Sequence, residues 1–100
     1  MAEQHPAHPG EVLKSEYLER RGIPVDALAT SMGMPPERMR EIIGGRRAIS
    51  ADTATRLADQ LGTTPQFWTT LQSNYDLSLV RRTWQQRRAS SEPKLPRRRR

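Results

Sequence analysis

A chain of 100 residues has room for one small domain and excludes a two-lobed enzyme closing around a cleft. Its net charge of +6 is unevenly spread: through residue 80, eight basic side chains face ten acidic ones, whereas the last twenty residues carry nine basic side chains and one acid. A basic composition is therefore no proof that the folded part meets nucleic acid. With 34% hydrophobic residues the core must be small, and the lack of cysteine excludes disulfides and thiolate metal sites and fits a reducing compartment. No apolar run approaches the roughly 20 residues a bilayer span needs, nor does the N-terminus read as a signal peptide, so the expectation is a cytoplasmic protein without membrane contact.

Residues 9 to 21 place Val12, Leu13, Tyr17 and Leu18 at helical spacing, and Gly22 stops the helix. A second helix spans residues 25 to 32, with Pro24 suited to a first helical position, Leu28, Ala29 and Met32 turned inward, and Gly33 at the corner that follows. Proline disfavours helical geometry in the residue before it, so Pro36 rather than Pro35 opens the third helix, which runs to about Ile43 with Met39, Ile42 and Ile43 inward. Gly44 and Gly45 end it. Ser50 caps a fourth helix with Ala54, Leu57, Ala58 and Leu61 inward and Gly62 beyond its end. Thr64 caps a fifth, with Pro65 in its first turn and Phe67, Trp68, Leu71 and Tyr75 on its buried side. Residues 76 to 80 alternate too briefly to choose among helix, strand and coil. The reading is an all-α, compact five-helix bundle with helices of 8 to 13 residues: a flexible N-terminus over residues 1–7, a domain over residues 8–80, and a basic, disordered tail over residues 81–100.

Catalytic constellations are missing. His5 and His8 have no partner at a recognisable ligand spacing, and Gly44-Gly45 lacks the lysine and preceding strand of a phosphate loop. The expectation is a binding protein with no enzymatic activity, no metal and no cofactor. Two short helices around Gly33 have the proportions of a helix-turn-helix, whose second helix enters a major groove about 12 Å wide; an ordinary helical hairpin has the same spacing. Arg46 and Arg47 leave the end of that helix on a loop, where they serve either as phosphate contacts or as a solvated turn.

Taken together, His8-Pro9-Gly10-Glu11-Val12-Leu13, Leu28-Ala29, Met32-Gly33, Gly45-Arg46-Arg47-Ala48-Ile49, Ala54-Thr55-Arg56-Leu57-Ala58, Leu61-Gly62-Thr63-Thr64-Pro65, Phe67-Trp68, Leu71-Gln72 and Tyr75-Asp76-Leu77 resemble the HigA family of antitoxins. These are small Xre-type helix-turn-helix proteins of toxin–antitoxin modules, with a lambda-repressor-like fold. The resemblance covers about residues 8 to 80. It implies a cytoplasmic antitoxin that neutralises a HigB toxin, a RelE-like endoribonuclease acting on messenger RNA. It further implies a homodimer that represses its own operon at an inverted repeat.

The third helix departs from the family pattern. Pro35 and Pro36 replace a capping hydroxyl, and Glu37 and Glu41 bring negative charge toward DNA. The candidate DNA contacts are Pro36, Glu37, Arg38, Arg40, Glu41, Arg46 and Arg47: Arg40 on a base edge, Glu37 and Glu41 accepting from cytosine amino groups, Arg38 on phosphate. Trp68, Leu71, Tyr75, Leu77 and Leu79 are candidates for the dimer contact, with sealing of the bundle as the competing role of the aromatics. The tail suits a solubilising extension, counterion-releasing DNA affinity or attraction to an acidic partner. Two other functions fit the same residues: an Xre-type repressor without a toxin, and a toxin-neutralising protein with weak operator binding.

Overall fold

The computed structural model describes residues 6–90. What the sequence suggests for residues 1–5, His5 included, and for residues 91–100 lies outside the described residues. The chain enters α1 (Pro9–Val12), which passes without a break into a π-helical stretch (Leu13–Glu19). The i→i+5 bonding of a π-helix brings residues five apart onto one face, and Leu13 and Leu18 are both buried there. Plain helical spacing, the expectation from sequence, would set them about 140° apart.

Then follow α2 (Val25–Met32), α3 (Pro36–Ile43), α4 (Ala51–Leu61) and α5 (Pro65–Ser90). The described residues form no strand, and the all-α five-helix bundle stands. Most boundaries are local chemistry. Ser50 Oγ accepts from the Thr53 N–H at 3.2 Å, Thr64 Oγ1 accepts from the Phe67 N–H at 3.1 Å, and Gly33 and Gly62 end α2 and α4 with φ of 69° and 77°. Pro24 differs from expectation: it is the extended N-cap, with ψ 141°, and Val25 is the first helical residue.

Trp68, Leu13, Met39, Ile42 and Leu57 lie fully buried at the centre, where the helices converge. The Trp68 indole N–H donates to Thr63 Oγ1 at 2.7 Å, so its one polar atom enters the core already satisfied. Phe67 was expected inward, but it is 38% exposed and lies edge-on over Trp68 at 4.8 Å as a partial lid.

The largest departure is α5. Its 26 residues make a rod about 39 Å long, where a helix of at most 13 was expected. Residues 76–80 are helical, and the backbone has no boundary at Val80; the helix continues through residues 81–90, which the sequence assigned to a disordered tail. No glycine or proline stands between Pro65 and Pro93, and Leu, Gln and Arg carry little helical penalty. Arg87 and Arg88 in the last turn also favour the negative end of the helix.

Candidate nucleic-acid interface

The α2–α3 corner is built from small residues and backbone bonds. Buried Ala29 lets the helices approach, Gly33 turns the chain in the left-handed region, and the Met34 N–H reaches back to the Ala29 carbonyl at 2.9 Å. Arg56 on α4 fastens the corner to the bundle. Its Nη1 donates to the Met32 carbonyl, the end of α2, at 2.7 Å, while its Nε pairs with Asp52 at 3.1 Å. Arg56 carries no signal of this role in the sequence; its i,i+4 partner Asp52 marks a helix-surface pair, but nothing local reveals a carbonyl 24 residues away.

With Met39 and Ile42 buried, the opposite face of α3 is fixed outward. Pro36, Glu37, Arg38 and Arg40 are exposed and Glu41 is half-buried. At about 100° per residue, Glu37 and Glu41 form the crest of that face, with Arg38 on one flank and Arg40 on the other. Beyond α3 the chain wraps tightly: the Arg46 N–H donates to the Glu41 carbonyl at 2.9 Å, and Gly45 sits at φ 77°. A Cβ on Gly44 would lie 2.7 Å from Arg46 Nη1, so the missing side chain leaves the space the guanidinium occupies. Ile49 then re-enters the core, its N–H donating to buried Gln72 at 2.8 Å.

All seven candidate residues thus share one surface. Their charges are partly committed. Arg40 pairs with Asp26 of α2 at 2.6 Å and Arg47 with Glu41 at 2.7 Å, and hydrogen bonding to Arg47 holds the Glu41 carboxyl below its ordinary range. Arg38 and Arg46 have no ion-pair partner among the described residues. Both pairs are exposed, so water and salt screen them. Asp26 and the pairing of two of the four arginines escaped the sequence reading, since both depend on how the helices pack.

The candidate dimer residues separate. Trp68 is fully buried against Tyr17 and Phe67, which removes it from any surface in this fold. Leu71 is half-buried against the core, and Tyr75 half-buried against His8. Leu77 and Leu79 are exposed, 50% and 42%, on roughly opposite sides of α5. Leu77 shares its side with Val80, 49% exposed and the end of the 76–80 segment expected at the dimer contact, and with Trp84, 65% exposed, which the sequence does not single out.

His8 has a defined place rather than lying in a solvated tail. It is buried beside Gly45, its ring edge-on to Tyr75 at 4.9 Å, and its Nδ1 accepts from the Gly10 N–H at 2.9 Å, capping α1. Burial lowers its pKa from the ordinary 6.5, with Asp76 and Glu11 opposing. The unfolded chain therefore takes up the proton first as pH falls. Stability is complete above about 6.5 and declines below it, until the folded imidazole also titrates. Urea midpoints measured from pH 7.5 down to 5 should fall more steeply for the native chain than for His8→Asn, which keeps a capping acceptor without a titration. His8→Ala should cost about 1 kcal/mol at pH 7.5.

No family model matches the chain. Virulence-associated protein I of Dichelobacter nodosus is 42% identical over 73 residues, covering 73% of this chain and 68% of the relative. Antitoxin HigA-1 of Vibrio cholerae is 39% identical over 83 residues, covering 83% and 78%. The structure of the Pseudomonas aeruginosa antitoxin HigA with the higBA promoter superposes with a TM-score of 0.78 at 37% identity, covering 91% of this chain and all of that one.

Proposed function

Because the chain belongs to the HigA family of helix-turn-helix antitoxins, we propose that it binds its own operator as a homodimer and neutralises a HigB-like toxin in the cytoplasm. Neutralisation is stoichiometric protein binding; the chain performs no chemistry and takes no cofactor. The observation that carries the DNA half of the proposal is the outward face of α3 continued by the Arg46–Arg47 loop, fixed to the bundle from beneath by Met39, Ile42, Ile49 and Arg56. A rigid helix with its charged side outward is what major-groove entry requires.

On this reading Arg40 meets a base edge and Arg38, Arg46 and Arg47 meet phosphates. Glu37 and Glu41, on the crest, accept from cytosine amino groups, while Pro36 sets the first turn without needing a capping side chain. Arg38 and Arg46, which have no ion-pair partner among the described residues, predict a slope of log affinity against log salt of about −4 for a dimer, lessened by about 2 in Arg38→Ala; Arg47 adds to it only as far as it leaves Glu41. The dimer forms through the exposed side of α5 at Leu77, which Val80 and Trp84 share, whereas Leu71, Tyr75 and Leu79 lie toward the other side of the helix. The crest of two acids favours a second reading, neutralisation with weak operator binding, because carboxylates repel phosphate unless they find cytosines.

The test is co-expression with the small toxin encoded beside this gene, scoring growth rescue and co-purification, alongside a gel shift on the gene's own promoter. Rescue with a promoter-specific shift is expected. Rescue without a shift selects the second reading, a shift without rescue selects a repressor with no toxin, and failure of both overturns the proposal. Sedimentation at tens of micromolar should show a dimer that Leu77→Glu dissociates.

A further inference from the structure

From the Asp26–Arg40 pair we infer that Asp26 is a positioning residue for DNA readout, one that converts Arg40 from a phosphate clamp into a base reader; the inference rests on the operator-binding reading above. Of the ion pairs Arg20–Glu16, Arg40–Asp26, Arg47–Glu41 and Arg56–Asp52, this one alone joins two helices. Its geometry is tight, Nη2 to Oδ1 at 2.6 Å, although the side chains are 52% and 64% exposed. Asp26 stands in the first turn of α2 and Arg40 on α3, so the carboxylate draws the guanidinium toward the start of α2.

Two consequences follow for a duplex docked on α3. One Nη2 hydrogen is spent on Asp26, while the rest of the five-donor fork stays available to the O6 and N7 acceptors of a guanine. Holding one edge of the fork removes rotamers that a free arginine would lose on binding. A phosphate taken by Arg40, in contrast, would sit beside the Asp26 carboxylate. The paired arginine carries no net charge toward the backbone, so it releases few counterions on any sequence. Arg38 and Arg46, which lack such a partner among the described residues, supply attraction that is the same on every sequence. Asp26 thus trades general affinity for selectivity.

The test compares wild type, Asp26→Asn, Arg40→Ala and the double variant by fluorescence anisotropy, on the gene's own promoter fragment and on a scrambled duplex of equal length, across a salt series. Asp26→Asn should bind the scrambled duplex several-fold more tightly, with a salt slope steeper by about 2 for a dimer. Its promoter-to-scrambled ratio should fall about tenfold. Arg40→Ala should lose a similar part of the ratio, and adding Asp26→Asn to it should lower the ratio no further. An unchanged ratio in Asp26→Asn overturns the inference, as does an equal loss in the Arg40→Ala background. A role confined to favouring the start of α2 would lower the melting temperature and leave the ratio intact. A wild-type chain that does not distinguish the two duplexes overturns the operator reading, and this inference with it.

Discussion

Gly10→Ala should lower the stability of the domain by about 2 kcal/mol, although alanine is the better helix former. Gly10 lies in α1, where replacing glycine by alanine ordinarily gains up to about 1 kcal/mol. Here a Cβ would stand 1.8 Å from the Ile42 carbonyl oxygen, 2.7 Å from its carbon and 3.0 Å from the Ile43 Cα. All three are backbone atoms in the last turn of α3, and Ile42 is itself locked in the core. No rotamer change relieves such a clash; α1 must move off α3, opening the space around Leu13 and Met39. With a net loss of about 2 kcal/mol after the propensity gain, a domain of this size should melt about 10 °C lower. Promoter affinity should fall as well, because the displaced element is the reading helix. A melting temperature at or above that of the wild type would overturn the close α1–α3 contact as the source of the effect.

Local chemistry is legible in the sequence alone. Gly33, Ser50, Gly62 and Thr64 mark helix ends because a left-handed turn or a capping oxygen is decided within a few residues. The arginines of α3 and its loop were legible as a set, since Met39 and Ile42 determine which face turns outward. Their pairing was not. Arg40 and Asp26 are 14 residues apart, and they meet only because buried Ala29 brings α2 against α3. His8 stayed hidden as a cap because imidazole is not among the usual capping groups, and its Nδ1 accepts here only once the ring is fixed against Tyr75. Periodicity places Trp68 and Leu77 on apolar faces without saying whether the bundle or a second molecule covers them. Trp68 proves to be core and Leu77 surface. The run of α5 past residue 80 was misread as a tail because charge and low hydropathy in residues 81–90 suggested disorder, whereas a helix already nucleated upstream needs only the absence of a breaker.

Gln72 offers the sharpest separation between stability and DNA contact. It is buried, and both ends of its amide are used: Oε1 accepts from the Ile49 N–H at 2.8 Å and Nε2 donates to Asp76 at 2.9 Å. The first bond closes the loop that carries Arg46 and Arg47 onto α5. Gln72→Leu fills similar space but leaves a buried N–H without a partner, at a cost of about 2 kcal/mol. Gln72→Glu keeps the acceptor for Ile49 and loses the donor to Asp76, setting two carboxylates side by side at neutral pH. It should therefore be less stable than the native chain at pH 7 and recover as the pH is lowered toward 5, where one carboxyl takes up a proton and donates. His8 titration lowers both urea midpoints over that interval, so their convergence reports the carboxylate pair alone. Because Gln72→Leu loosens the loop without touching a charge, it should weaken promoter binding while leaving the salt slope near that of the wild type. A slope reduced as far as in Arg46→Ala would mean that the loop had left the DNA altogether, and that the Ile49 bond positions the phosphate contacts rather than merely stabilising the fold.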